Sequence, residues 1–351
     1  MDALRAILPP KKFTLLTVHS EKHKCRKLIF TRSSDKSTEL RQFHTYVLCA
    51  DGVAVLGLEL VVYESIDGTV TLFVSKADTS GYYHIGENEV RLNIGKVIKE
   101  LILYTLKLHC SVNTDIRICL FAKSMQQYLF LGSENNPKKH VLSDADLVKW
   151  WIRCLDSMSQ ISCKSAKLYI PGIDSRNLSK YFPTNSNFHW SKGDIFGTSE
   201  VDGANSELAV KTIPRFFDDP KTRFLDLIVE NGRAKKVTHE QFLIELESQQ
   251  EFRLGKSVGL IGLKGSISTD KIEAETVSLQ DSDDFQKLIV SLDFENKIEA
   301  EKSTVKLLEF CEDFCRHELK GCAENTQNKK ETVNKPKIDI QMLQPRKKRK
   351  T

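Results

Sequence analysis

Four groups of residues carry side chains whose types and spacing suit chemistry. Asp218 and Asp219 are adjacent carboxylates, followed by Pro220, Lys221 and Arg223. Such a pair binds and orients a cation, or accepts a proton from one. Pro220 marks the first turn of a helix. A carboxylate there is held in its ionised form, which weakens it as a base, while repulsion from the neighbouring aspartate pushes the other way. Trp150 and Trp151 are adjacent in a helical pattern and therefore point in different directions. One is expected in the core, and the other offers an aromatic face that tolerates an apolar stem and a cationic head. Lys138, Lys139 and His140 are available to phosphate oxygens. Cys311, Cys315 and His317 raise the question of zinc, but only the two cysteines share a helical face and no fourth ligand is evident, so no metal site is expected. Each group also has a plainer reading: a helix start, packed aromatics, solvated surface lysines.

The elements that must position these residues follow from periodicity. His44–Ala50, Val53–Tyr63 and Thr69–Ser75 are aliphatic and β-branched, and the pairs Asp51-Gly52 and Asp67-Gly68 between them suit hairpin turns. Ile94, Val97, Ile98, Leu101, Ile102 and Thr105 recur at helical spacing and give a long helix with one buried face. Ile116–Phe121 reads as a buried strand, and Ser143 with Asp146 opens a helix through Trp150, Trp151 and Leu155. Lys167–Ile170 and Glu207–Ile213 are expected to be strands, and Asn231-Gly232 ends the helix begun at Pro220. Thr238 and Gln241 cap a helix through Leu246. Ser257–Ser266 and Ile272–Leu279 are further expected strands, and Glu299–Lys320 a closing helix. Strands first, then strands alternating with helices, predict a single α/β domain with a mixed central β-sheet surrounded by helices over residues 1–325.

Composition narrows the function classes. With 40% hydrophobic and 28% charged residues the chain buries a sizeable core. The net charge is +5, yet residues 326–351 hold nine lysines and arginines against two acids, which leaves residues 1–325 at −2. A nearly neutral body argues against a global DNA-binding footprint, and no specific DNA binding is expected. The polar tail is expected to be disordered, and Arg346-Lys347-Lys348-Arg349-Lys350 reads as a nuclear localisation signal. The nine cysteines are scattered without a C-x-x-C pair, and Met1–Pro10 is broken by Pro9 and Pro10, so a reduced intracellular protein without a secretory leader is expected. No apolar run approaches the roughly 20 residues of a membrane span, so no membrane partner is expected. The glycines at 255, 259, 262 and 265 fit no dinucleotide or P-loop pattern.

Several stretches together carry a family resemblance: Val74-Ser75-Lys76-Ala77-Asp78-Thr79, Tyr128-Leu129-Phe130, Lys138-Lys139-His140, Lys149-Trp150-Trp151, Gly193-Asp194-Ile195-Phe196 and the run from Phe217 to Phe224. In order and spacing they resemble the fungal histone H3 acetyltransferases first known as regulators of Ty transposition. That resemblance implies a fold akin to CREB-binding-protein acetyltransferases, acetyl-coenzyme A (acetyl-CoA) as cosubstrate, and nuclear work in chromatin assembly, replication and repair. It implies histone H3–H4 as substrate, with a core-proximal lysine of H3 as target. It also implies stimulation by histone chaperones of the nucleosome-assembly-protein and anti-silencing types. Two departures stand out. The segment Cys110–Ile116 leaves almost no room for the family's loop after the first long helix, and Pro214-Arg215-Phe216-Phe217 stands before the aspartates where the family tends to read Pro-Leu-Phe-Pro.

The resemblance also assigns roles. Asp219 matches the proposed proton acceptor, with Asp218 beside it and Trp151 walling a lysine tunnel. Our reading of the residues favours binding and orienting the ammonium, with proton removal relayed through water. Cosubstrate contacts fall on Ala77, Asp78 and Thr79 at a strand end, on Val90, Arg91 and Leu92 before the long helix, on Phe121, Met125 and Tyr128 along the pantetheine arm, and on His140, Val141, Leu142 and Trp151. Lys221 matches a lysine that becomes acetylated in the family. Two rival readings remain: a non-catalytic histone- or chaperone-binding nuclear protein, and a DNA-binding protein acting through its tail.

Overall fold

The computed structural model describes residues 1–29, 38–85, 90–197, 207–247, 258–311 and 313–323. The basic tail with its nuclear signal, Gly255 and the expected strand start at Ser257 lie outside the described residues.

The chain opens with a short helix, α1 (Asp2–Ile7), and strands β1 (Lys12–His19) and β2 (His23–Arg26). Then β3 (Thr38–Ala50), β4 (Val53–Glu64) and β5 (Val70–Thr79) form the expected meander. Asp51 (φ 49°) and Gly52 (φ 78°) are both left-handed, the conformation a two-residue hairpin turn requires. After the small hairpin β6 (His84–Ile85) and β7 (Val90–Arg91), helix α2 (Ile94–His109) crosses back so that β8 (Thr114–Ala122) lies parallel to β5. Helix α3 (Asp144–Asp156) is capped by Ser143 as read, and β9 (Ile161–Tyr169), the one-turn helix α4 (Ser175–Leu178) and β10 (Trp190–Lys192) follow. The last part comprises α5 (Ala209–Thr212), α6 (Pro220–Glu230), α7 (His239–Glu247), β11 (Gly259–Ile267), α8 (Leu279–Ser291), α9 (Lys297–Phe310) and β12 (Arg316–Lys320). The strands run β10-β9-β11-β8-β5-β4-β3-β1-β12, with β2 added along β3, in one mixed sheet.

Alternation along the strands sends apolar side chains to both faces. Tyr46, Leu56, Leu58, Leu72, Ile116 and Ile118 pack under α1, α2 and α3 on one face. On the other, Val47 and Cys49 meet α8 and α9, while Val61, Phe73 and Cys119 meet Ile195 and Phe216. Val97, Ile98, Leu101, Ile102 and Leu106 of α2 are buried, each contributing about 1.5–3 kcal/mol. Beneath α2 lies a polar chain. Glu64 accepts from His109 Nδ1 (2.6 Å), His109 Nε2 meets His44 Nε2 (2.9 Å), and His44 Nδ1 meets His19 Nδ1 (2.9 Å).

Three expected elements differ. Glu207–Ile213 holds no strand but the single turn α5, with Leu208 in one bridge to Thr238; a short apolar run does not distinguish the two. Ile272–Leu279 contributes one bridge, Val277 to Ser20, before Ser278 caps α8. The expected closing helix stops at Phe310, where the Arg316 guanidinium donates to the terminal carbonyls of Leu308 and Cys311. Residues 316–320 instead form edge strand β12 on β1, and His317 bonds Thr17 there rather than approaching the cysteines. No described helix is long and apolar enough to cross a membrane. Among the described residues no group of three or more His, Cys, Asp or Glu could hold a metal.

Candidate active site

The site lies where the parallel strands β5 and β8 part. β5 and β8 pair from Val70↔Ile116 to Val74↔Leu120, and there the ladder ends. Beyond that point a register shift kinks β5 against β4, and β8 continues with β11 alone. The strands therefore open a cleft at their carboxyl ends, the usual ligand position in sheets with parallel strands. Two cavities occupy it, of about 510 Å³ and about 270 Å³. Ala77, Lys123, Met125, Tyr128, Leu147 and Trp151 border both, so the two compartments adjoin along these residues.

The larger compartment collects most of the residues expected to touch the cosubstrate. Ala77, Asp78, Thr79, Arg91, Leu92, Met125, Tyr128, His140, Val141, Leu142 and Trp151 line it. Val90 borders neither compartment, and Phe121 borders the smaller one. Leu92 N–H is engaged by Tyr83 O (2.9 Å) and Ile94 N–H by Leu92 O (3.1 Å), and Asn93, Ile94 and Gly95 at the start of α2 line the wall. Arg91, its guanidinium 5.6 Å from the Tyr83 ring centroid, stands beside that helix start.

Asp78 shapes this wall. Its Oδ2 accepts from the N–H groups of Tyr128 (2.7 Å), Leu129 (2.9 Å) and Phe130 (3.2 Å). Its Oδ1 accepts from Thr79 N–H (2.8 Å) and Lys139 Nζ (2.9 Å). The carboxylate thus ties the end of β5 to the 128–130 turn. Lys139, read as available to phosphate oxygens, lines this compartment, where its side chain is a buried counter-ion to Asp78 that also donates to Ser133 Oγ (2.7 Å).

Both tryptophans border the larger compartment, and Trp151 alone borders the smaller one too. Trp151 is 5% exposed, and its ring meets that of Trp150 edge-on at 4.9 Å. Trp150, expected as the core member, is the less buried of the two and packs over Gly95.

The paired aspartates diverge sharply. Asp219 caps α6, accepting from Lys221 N–H (3.1 Å), and its Oδ2 is 2.6 Å from Lys221 Nζ. Both residues are enclosed, at 1% and 5% exposure, and the ammonium lies over the rings of Phe216 (5.4 Å) and Phe121 (6.0 Å). Asp219 borders neither compartment. Asp218 is the acid on the wall of the smaller one, half-exposed, with Arg223 at 3.7 Å. Its backbone is left-handed (φ 52°), a conformation costly for a non-glycine residue and frequent at functional sites. Nearby, Lys76 on the same wall pairs with Glu59 of β4 (3.0 Å). Burial pushes the Glu59 carboxyl above its ordinary range, Lys76 opposes that rise, and Asp218 adds to it.

Residue types alone gave no sign of Leu56, Tyr83, Ile98, Ser124 or Leu147 as lining residues, because they read as core or surface. Ser143, capping α3, was the one local signal that fixed the helix carrying Leu147 and both tryptophans.

The model of the histone acetyltransferase KAT11-type domain matches residues 1–107 and 96–336. The chain is 37% identical over 190 residues to histone acetyltransferase RTT109 of Candida albicans, covering 53% of this chain and 50% of that protein. It is 30% identical over 278 residues to histone acetyltransferase rtt109 of Schizosaccharomyces pombe, covering 74% and 69%. The match thus spans half the length of the first relative. The crystal structure of Rtt109 from Aspergillus fumigatus shares the fold, with a TM-score of 0.78 at 22% identity over 92% of this chain and 98% of that one. A domain model that runs through both sides of the cleft, and a relative aligned over three quarters of the sequence, place the chain in the KAT11-type histone acetyltransferase family.

Proposed function

We propose that the chain transfers the acetyl group of acetyl-CoA to lysines of histone H3, with a core-proximal lysine among its targets. The observation that carries this reading is the pair of compartments that share Trp151, the larger with a mixed apolar and polar lining, the smaller bordered by Asp218. The pantetheine arm fits the larger compartment beside Ala77–Thr79, Leu92, Met125 and Tyr128. The phosphates fit the start of α2 with Arg91 and His140. The thioester, when bound, supplies the activated carbonyl. The chain's own residues hold the two partners together, which lowers the barrier by removing the entropy of their encounter. Trp151 presents an aromatic wall to the lysine stem, and Asp218 attracts its ammonium. Asp219, enclosed by Lys221, supports the start of α6 and through it the position of Asp218; an acceptor role for Asp219 requires that this ion pair open.

Lys221 is the proposed acetylation site within the chain. Acetylation would remove its charge from a space between two phenylalanines and release the Asp219 carboxylate. Presentation of a lysine from a structured histone segment calls for histone chaperones of the nucleosome-assembly-protein or anti-silencing type, acting mainly on geometry. Entry to the nucleus is assigned to Arg346–Lys350, and deleting that run should reduce nuclear accumulation while leaving turnover in vitro unchanged.

The experiment is mass spectrometry of H3–H4 incubated with the protein, acetyl-CoA and each chaperone type. Acetylated H3 with a large chaperone gain in kcat/KM on H3–H4, and a much smaller gain on a short H3 peptide, is the expected result. Acetyl-CoA binding without any histone acetylation would favour a non-catalytic histone-binding role.

A further inference from the structure

The smaller compartment is bordered by more cations than acids. Lys76 on β5, Lys123 after β8 and Arg223 on α6 line it, against the single acid Asp218. Arg223 is exposed and tethered only loosely to Asp218, at 3.7 Å. Lys76 is differently held. Its ammonium lies 3.0 Å from Glu59 Oε2, across the β4–β5 ladder where the two residues are register partners. Glu59 is 3% exposed, and its Oε1 has no hydrogen-bond partner among the described residues. A buried carboxylate with one free oxygen anchors the ammonium firmly, because leaving it would strand the charge. Besides Lys76, the charged groups bordering this compartment are Asp218, Arg223 and Lys123, and of these Asp218 acts on Glu59.

A substrate lysine must lose its ammonium proton before its nitrogen can attack. Like charges nearby disfavour the ammonium form and leave the neutral amine unaffected. We propose that Lys76, pinned by Glu59, makes the smaller compartment favour the neutral form of the incoming lysine amine. This rests on the acetyl-transfer reading above. The ammonium gives one proton to Asp218 and onward through water. The neutral nitrogen then bonds to the thioester carbonyl carbon, the carbon–sulfur bond breaks, and the second nitrogen proton ends on the departing thiolate. Lys76 gives up no proton in this sequence; it acts by its fixed positive charge.

The test is the pH dependence of single-turnover acetyl transfer, with the full chain in excess over an H3 peptide and acetyl-CoA saturating. The rising limb then reports the amine in the assembled complex. Lys76→Met should move that limb up by about one pH unit, since a like charge is removed. Glu59→Gln, which leaves the cation unneutralised, should move it down. Lys76→Arg should hold it at the wild-type position. A purely structural pair would lower the rate in the Met and Gln variants with the limb in place, and that result would overturn the proposal, as would limbs moving the same way. If Lys76→Met does not fold, Glu59→Gln/Lys76→Met removes both charges and carries the expectation of a limb above wild type. A wild-type chain that transfers no acetyl group at any pH would overturn the functional reading itself; an active one with unmoved limbs overturns only the role of Lys76.

Discussion

Asp219→Asn separates a structural role from a chemical one. The change keeps the side chain's shape, and asparagine caps a helix as well as aspartate, so the bond to Lys221 N–H is retained. What is lost is the counter-charge of an ammonium that is 5% exposed. Removing one member of a buried ion pair costs about 3–5 kcal/mol. The rings of Phe216 and Phe121, at 5.4 and 6.0 Å, face the ammonium in both proteins and so do not offset that loss. Lys221→Met should also destabilise, because it leaves Asp219 enclosed with a single backbone donor. The double variant replaces the pair with uncharged groups and should lose much less than the sum, giving a coupling energy of about 2 kcal/mol or more. Urea denaturation of the four proteins measures this directly. A single Asp219→Asn variant within about 0.5 kcal/mol of wild type, or strictly additive effects, would refute the enclosed pair. If stability is kept and turnover alone collapses, Asp219 acts on the substrate as the family resemblance implies.

Trp151→Ala, removing the wall shared by both compartments, should cut single-turnover acetyl transfer strongly and cost about 3–5 kcal/mol in denaturation. Trp150→Ala should mainly weaken acetyl-CoA binding measured calorimetrically, with a smaller loss of stability; the reverse ranking would mean that the roles are exchanged. Asp78→Asn should destabilise more than Lys139→Met, because the carboxylate keeps four backbone donors without Lys139, whereas Lys139 keeps only Ser133 Oγ without the carboxylate. Equal urea midpoints would count against that asymmetry. The histidine chain should make the protein acid-sensitive. Burial, with repulsion from His109 and His317, holds His19 at about 3, and burial lowers His44 and His109 as well. Below about pH 6.5 the unfolded chain takes up protons that the folded chain refuses, so stability is full above that pH and falls as pH drops. His19 alone accounts for about 2 kcal/mol by pH 5, and His19→Asn should flatten the slope by about 1.4 kcal/mol per unit. An unchanged slope would show that His19 titrates normally.

The legible parts of the fold were those whose cause is local. Asp-Gly turns, the apolar stripe of α2 and the caps at Ser143 and Asp219 each act within a few residues, and each element appears where they place it. The misread parts depend on distant partners. Nothing within Arg316–Lys320 announces a strand, since its ladder is supplied by β1 at the other end of the chain. The site divides the same way. Residue stretches matching the family mark the walls, but the pairings Asp78–Lys139, Glu59–Lys76 and Asp219–Lys221 arise from the folded arrangement. Two of them cross between elements. The third joins near neighbours and was missed because a first-turn lysine ordinarily faces water.

The β1–β12 pairing makes the order of synthesis matter. Thr14 leaves the ribosome 304 positions before its partner Glu318. At about 5–20 residues per second that gap lasts about 15–60 s. During it β1, already able to pair with β3 on one side, presents its other edge unpaired. The finishing seam continues past the strand: Gly321, Cys322 and Ala323 donate to the carbonyls of Lys11, Arg5 and Leu8, and Gly321 has no room for a side chain beside Pro9 and Leu8. A nascent or truncated chain lacking residues 316–323 therefore carries an open sheet edge of the kind that templates aggregation. Closure of this edge therefore comes late in synthesis.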